Sequence, residues 1–185
     1  MRILAALFAL CLLAAAPLGA EAAGLAQPAG PVALTVHGKI ASTNRGAVDA
    51  FDDAFFKFGN VSFDKAASFD LAMLEKLGMK TLTVKYDTWP KAYRFEGPLL
   101  RDVLKAAGAS GKAVKVYAID GYGAEIPMAE IEKFDVLLAL KADGKYLGLG
   151  GRGPTWVVFP RDASPELKKQ DDAKWVWSAI RIEVE

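Results

Sequence analysis

The sequence predicts an α+β domain of mixed sheets with short helices. Strand-like alternation and helix-like periodicity both occur, in an order that lacks the strict strand-helix repeat of a parallel α/β fold. About seven strand segments and three or four short helical ones can be read along the chain. The 185 residues are 52% apolar and include ten Phe, enough for one domain with one core. Balanced charge, 23 Lys+Arg against 22 Asp+Glu, excludes general nucleic-acid binding, which needs a clustered cationic excess.

The N-terminus reads as an export signal over residues 1–22. Arg2 precedes residues 3–16, fourteen positions without a charge, and Pro17, Gly19 and the small-residue run Ala20-Glu21-Ala22-Ala23 follow. A helix of that length covers roughly 21 Å, short of the roughly 30 Å hydrocarbon core. Cleavage is expected after Ala22, giving a periplasmic or secreted protein without a membrane span. Cys11 is the only cysteine and leaves with the signal, so the exported chain has no disulfide and no thiolate ligand.

Residues 23–31 read as a flexible leader and residues 32–185 as the domain. Residues 32–40 place large apolar side chains at every second position, a half-buried strand. Residues 41–60 keep no period, yet Phe51, Phe55, Phe56 and Phe58 are expected to bury there as a packed excursion. Asp70 should cap a helix over 71–77, with Phe69 and Leu74 as a hydrophobic staple and Gly78 as its stop. Residues 80–86 alternate as a strand. The run Phe95-Glu96-Gly97-Pro98 leads into the clearest helix, with Pro98 at its first position, Leu99, Leu100, Val103, Leu104 and Ala107 on one face, and Gly108 ending it.

Residues 114–119 form the next strand, Asp120-Gly121 a turn, and 129–133 a short helix. Residues 136–142 read as a strand closed by the hairpin signal Asp143-Gly144, after which Tyr146-Leu147 resume pairing. Residues 155–159 form a buried strand between Pro154 and Pro160. Ser164-Pro165 starts a polar helix, and 175–184 is a long closing strand with Trp175 and Trp177 on one face in a structural role. The expected core includes Leu99, Leu104, Val116, Leu138, Val157 and Ile180. There is no internal repeat.

One chemistry is excluded, a second is disfavoured and one motif is rejected. Protein-ligated zinc needs several ligands, and beyond the signal the chain has only His37, which also rules against a Ser-His-Asp or Cys-His site. A strand histidine exposed on its sheet or satisfied by hydrogen bonds is the expectation. Residues 148–153 spell G-x-G-x-x-G, but that fingerprint must open a helix. Here Pro154-Thr-Trp-Val-Val-Phe-Pro160 follows, so the glycines belong to a close-approaching loop whose only charge is Arg152.

The motif order resembles the oxidoreductase molybdopterin-binding domain of the sulfite oxidase superfamily. The residues that carry it are Phe95-Glu-Gly-Pro-Leu-Leu-Arg-Asp-Val-Leu-Lys-Ala-Ala-Gly108, Asp120-Gly-Tyr122 with Ile126-Pro127, and Val136-Leu-Leu-Ala-Leu140 with Asp143-Gly144. Gly153-Pro154 before a strand and Trp175-Val-Trp177 before the last one complete the series. The resemblance spans roughly residues 32–185 and implies a mixed α+β fold, molybdopterin as the cofactor to expect, and oxygen-atom transfer. It departs in two places. Catalytic members carry a molybdenum-ligand cysteine where this chain has Val84-Lys-Tyr-Asp-Thr-Trp-Pro90, and a Gly-Pro-Leu-Arg type sequence appears here as Gly153-Pro154-Thr155-Trp156.

The resemblance implies a cofactor-binding set of Asp87, Thr88, Trp89, Asp120, Tyr122, Arg152 and Trp156, with no catalytic and no metal-ligand residue assigned. Arg152 can pair with a phosphate or carboxylate or be a solvated loop charge. Trp89 and Trp156 can stack on a flat ring or pack in the core, and Asp120 can be a plain turn former. Two function classes stand side by side: an exported molybdopterin-binding oxidoreductase-like domain without the metal-ligand cysteine, and a ligand-binding or partner-interaction module that keeps the fold without cofactor. The expected partners are a small anionic or ring-containing ligand and a membrane sensor or redox partner.

Overall fold

The computed structural model describes residues 24–185. The export signal, its cleavage site and Cys11 lie outside the described residues. Among the described residues no helix is long and apolar enough to cross a membrane.

Among the described residues, eleven short strands and five short α-helices build a mixed α+β fold. The largest sheet has five strands: β1 (Val32–Gly38), β2 (Ala67–Asp70), β5 (Ala113–Ala118), β6 (Gly123–Pro127) and β11 (Ala179–Val184). Their order is β2-β1-β11-β5-β6, with β1 and β11 parallel and the other pairs antiparallel. A four-stranded sheet runs β3 (Lys80–Val84), β4 (Tyr93–Gly97), β8 (Lys141–Ala142) and β9 (Lys145–Tyr146). Between them β7 (Leu137–Ala139) pairs with β10 (Trp156–Val158).

The core is one cluster. Leu34, Val36, Val114, Val116, Ile182 and Val184 of the large sheet meet Leu100, Val103 and Leu104 of the helix α3 (Leu100–Ala106), and Leu138, Val157 and Phe159 complete it. Every one of these side chains is withdrawn from water. At roughly 1.5–3 kcal/mol for each large aliphatic or aromatic side chain buried, this cluster is the main source of stability.

The capping signals hold. Asp70 accepts from the Met73 amide at 2.7 Å and starts the helix α2 (Leu71–Lys76). Ser164 accepts from the Leu167 amide at 3.2 Å and starts the helix α5 (Pro165–Lys169). Asp143 and Gly144 take φ of 49° and 77°, the backbone that a tight hairpin between β8 and β9 requires.

Several expectations are corrected. Phe95-Glu-Gly, expected only to lead into the helix, is strand: β4 pairs along β3 from Lys80↔Gly97 to Val84↔Tyr93. Pro98 therefore lies before the cap residue Leu99, and its carbonyl accepts from Leu138. Residues 136–142 split between two sheets, as β7 and β8. The closing strand begins at Ala179, because Ser178 adopts φ of 49° and breaks the extended run from Trp175. A register shift between Ala179 and Arg181 leaves Ile180 half-buried, and Ile182 takes the core position instead.

The Phe excursion is the largest departure. Phe51 and Phe58 are each 88% exposed and Phe55 is exposed too. Their i, i+4, i+7 spacing puts them on one stripe across the turn and the helix α1 (Ala54–Phe58). The segment is held instead by Phe63, against which His37, Phe56 and the Arg45 guanidinium all pack, and by the Arg45–Asp53 ion pair. The segment read as a leader is tied to the domain: Asp70 accepts from the Ala29 and Gly30 amides, and Asn44 exchanges bonds with Ala26 and Gln27.

Candidate functional site

Three loops named by the sequence and a fourth that it did not name enclose a cleft of about 580 Å³, a size that suits a small organic ligand. The loop after β3 contributes Thr88, Trp89 and Pro90. The β5–β6 turn contributes Asp120 and Tyr122, the glycine loop contributes Arg152, and the start of β10 contributes Trp156. The fourth loop, before β11, adds Asp172, Ala173, Trp175 and Trp177. All four tryptophans of the chain therefore line this one space.

The aromatic wall is continuous. The Trp89 indole lies 5.6–6.0 Å, centroid to centroid, from Tyr86, Tyr93, Phe95, Trp156 and Trp175. Trp156 is buried on β10, and its Nε1 donates to the Trp175 carbonyl at 3.0 Å. That bond leaves the faces of both rings for packing while satisfying the indole N–H. Trp175 is likewise buried, but Trp177 is 46% exposed, so the two do not share one structural face as expected.

The glycine loop folds on itself, since the Gly148 carbonyl accepts from both Gly151 and Gly153 amides. A Cβ on Gly153 would fall well inside van der Waals contact of the Leu147 carbonyl, which accounts for glycine there. Ser178 then locks this loop to the fourth one: its amide donates to the Arg152 carbonyl and its hydroxyl to the Gly151 carbonyl, both at 2.9 Å. The Arg152 guanidinium lies 4.6 Å from the Trp156 ring centroid and 6.0 Å from that of Trp177. Among the described residues it forms no ion pair, and it is the one cation lining the cleft.

Asp120 makes the turn: its Oδ1 accepts from the Tyr122 amide at 3.0 Å. The Tyr122 hydroxyl donates across the cleft edge to the Ala173 carbonyl at 2.8 Å. Asp120 and Asp172 set two carboxylates against one guanidinium.

Asp87 is the named residue that does not line the cleft. Its exposed carboxylate accepts from Arg161 Nη2 at 3.0 Å, and the same nitrogen donates to the Lys168 carbonyl. Arg161, which the sequence reading missed, is 8% exposed and lies 4.3 Å from the Tyr86 ring centroid. It supports the loop that presents Thr88 and Trp89. Burial raises the Tyr86 phenol above its ordinary pKa, with the Asp172 charge adding to the effect. His37 lies away from the cleft, buried on the large sheet, where its Nε2 accepts from Arg181 at 2.9 Å. Desolvation, then the Arg181 charge, lowers its pKa.

The molecule is thus a mixed-sheet α+β domain whose interstrand loops converge on one aromatic cleft. The family model of the oxidoreductase molybdopterin-binding domain matches residues 62–177, and the chain belongs to that family. The fold is the sulfite oxidase-like one. No curated protein matches the chain.

The donor set separates the two halves of the cofactor that this family implies. A pterin is a flat ring with polar edges and an anionic tail; the cleft offers it an aromatic wall, enough volume and the Arg152 guanidinium, with the Asp120 and Asp172 carboxylates as opposing charges. The metal half is not matched: residues 84–90 hold no cysteine to supply the thiolate ligand that the family's catalytic members carry.

Proposed function

We propose that this chain is an exported molybdopterin-binding-type domain that holds a flat anionic ring compound in the four-tryptophan cleft, and that it acts by binding rather than by oxygen transfer. The observation that carries the reading is the convergence on one cavity of all four tryptophans and of Arg152, which has no ion pair among the described residues. A flat ring gains from stacking on the indoles, and an anionic substituent gains a bidentate partner in Arg152. Export draws on Arg2, the apolar residues 3–16 and the small residues that follow.

The absence of cysteine from residues 24–185 supports the binding role, because no side chain there supplies the thiolate on which the family's metal chemistry depends. A cofactor-free binding module is the second reading, and the same donor set supports it. The test is to purify the full chain from a host that makes molybdenum cofactor, then assay pterin, molybdenum and sulfite or sulfoxide turnover. The expected result is no molybdenum-dependent turnover. Bound pterin selects the first reading and its absence the second, while robust molybdenum-dependent turnover overturns the binding role.

A further inference from the structure

The four-tryptophan cleft has an apolar neighbour. A second cavity, of about 180 Å³, shares Trp89, Pro90, Arg152 and Trp156 with it, so the two spaces adjoin along a shared wall. The remaining lining of the second cavity is Tyr93, Phe95, Ala142 and Leu147. Tyr93 and Phe95 are two residues apart on β4 and so share a face. Ala142 is the register partner of Phe95 on β8, and Leu147 is folded back by its amide donating to Leu140 at 2.8 Å. Arg152 is the only charged side chain lining this cavity, and it stands on the shared wall.

We infer that the ligand of the cleft carries an apolar substituent, a short alkyl chain, which passes the shared wall and lies in the second cavity while its anionic ring stays beside Arg152. The inference rests on the ring-binding reading and extends it. An unsubstituted ring fills only the larger cleft and leaves the half-buried Tyr93 and Leu147 facing water. An alkyl group removes that surface from water, and its contribution grows with each methylene. Ala142 marks the specificity: as the smallest side chain in the lining, it leaves room that any larger residue would occupy.

Calorimetric titration of the full chain with pterin-6-carboxylate, benzoate, 4-butylbenzoate and 4-hexylbenzoate tests this. The alkyl compounds should tighten by about two- to fourfold per methylene and should compete with pterin-6-carboxylate. In Ala142→Phe and, independently, Leu147→Trp, the ratio of hexyl to unsubstituted affinity should collapse toward one. If neither unsubstituted anion binds, the ring reading falls and this inference with it. If they bind but hexyl and plain benzoate agree within twofold, or if both folded variants keep the wild-type ratio, the substituent inference alone is overturned.

Discussion

Replacing Arg152 by alanine separates a binding role from a structural one, because the two roles predict effects of different size. The guanidinium has no ion pair among the described residues, and its packing consists of one ring centroid at 4.6 Å and a second at 6.0 Å. An exposed cation–π contact contributes about 0.5–1 kcal/mol. In a domain of this size that lowers Tm by roughly 1–4 °C. A charged hydrogen bond to a bound anion is worth about 1.5–3 kcal/mol, equivalent to a roughly 10- to 150-fold loss of affinity.

Pterin-6-carboxylate binding can be followed by quenching of intrinsic fluorescence, since every tryptophan lines the cleft. Arg152→Ala should weaken binding within that range while Tm moves only slightly. Arg152→Lys should fall between, keeping the charge but losing the planar fork. Wild-type affinity should decline with salt. A loss under twofold would show that Arg152 does not meet the anion, and a Tm drop above about 6 °C would show that it holds the fold instead.

Asp70→Ala removes the cap of α2 and leaves the Ala29 and Gly30 amides without their acceptor; at about 1 kcal/mol for the cap and 0.5–1.5 for each further bond, denaturant unfolding should show a loss of about 2–4 kcal/mol, and a loss below 1 would contradict the bonding described. Gly153→Ala forces the glycine loop off the Leu147 carbonyl and should cost about 1–3 kcal/mol of stability, the range for overpacking, together with weaker ring binding; unchanged values for both would refute the close approach. Phe58→Ser should change unfolding free energy by no more than about 0.5 kcal/mol, as at other exposed positions, and a loss above 2 would mean that the stripe is buried after all. His37 has a lowered pKa in the fold, so the unfolded chain binds its proton first: this contribution is full above the ordinary imidazole value near 6.5 and is lost as pH falls through the lowered one. Tm should therefore decline from pH 7 toward 5 in the wild type and stay flatter in His37→Gln. Equal slopes would exclude the imidazole as the cause. The carboxylates of Asp53 and Asp70, held low by Arg45 and by backbone amides, lose their contribution only at lower pH.

Local signals in the sequence carried much of the fold. Asp70 and Ser164 cap helices because a short oxygen-bearing side chain reaches an amide three residues on, and Asp143-Gly144 turns because both residues tolerate positive φ. What escaped depends on partners distant in the chain. The proline-punctuated run at residues 95–98 reads only as the approach to a helix until β3 and β8 flank it on either side. Ile180 fits an alternating strand until a register shift rotates it off the core. The phenylalanines at 51, 55 and 58 look buried by composition alone, but Phe63 and the Arg45–Asp53 pair already anchor that segment.

The cleft divides along the same line. Thr88, Trp89, Asp120, Tyr122, Arg152 and Trp156 stand beside turn residues in the sequence, and each lines the cavity. Trp177 was hidden by an apparent strand that would have placed it with Trp175; the positive φ at Ser178 breaks that strand and turns Trp177 toward solvent. Ser178 uses the same break to clamp the glycine loop through two hydrogen bonds. The conformation that ends β11 early thus also fixes Arg152 beside Trp156. Asp172 and Arg161 had no signal, since one is an ordinary acid in a polar loop and the other follows a proline. Arg161 is placed by Tyr86, which packs between it, Trp89 and Trp175, and Asp172 by its carbonyl accepting from the Trp175 amide. The cleft is therefore assembled by the interlocking of its loops, and a substitution at Ser178 or Arg161 should disturb ligand binding without either side chain lining the cavity.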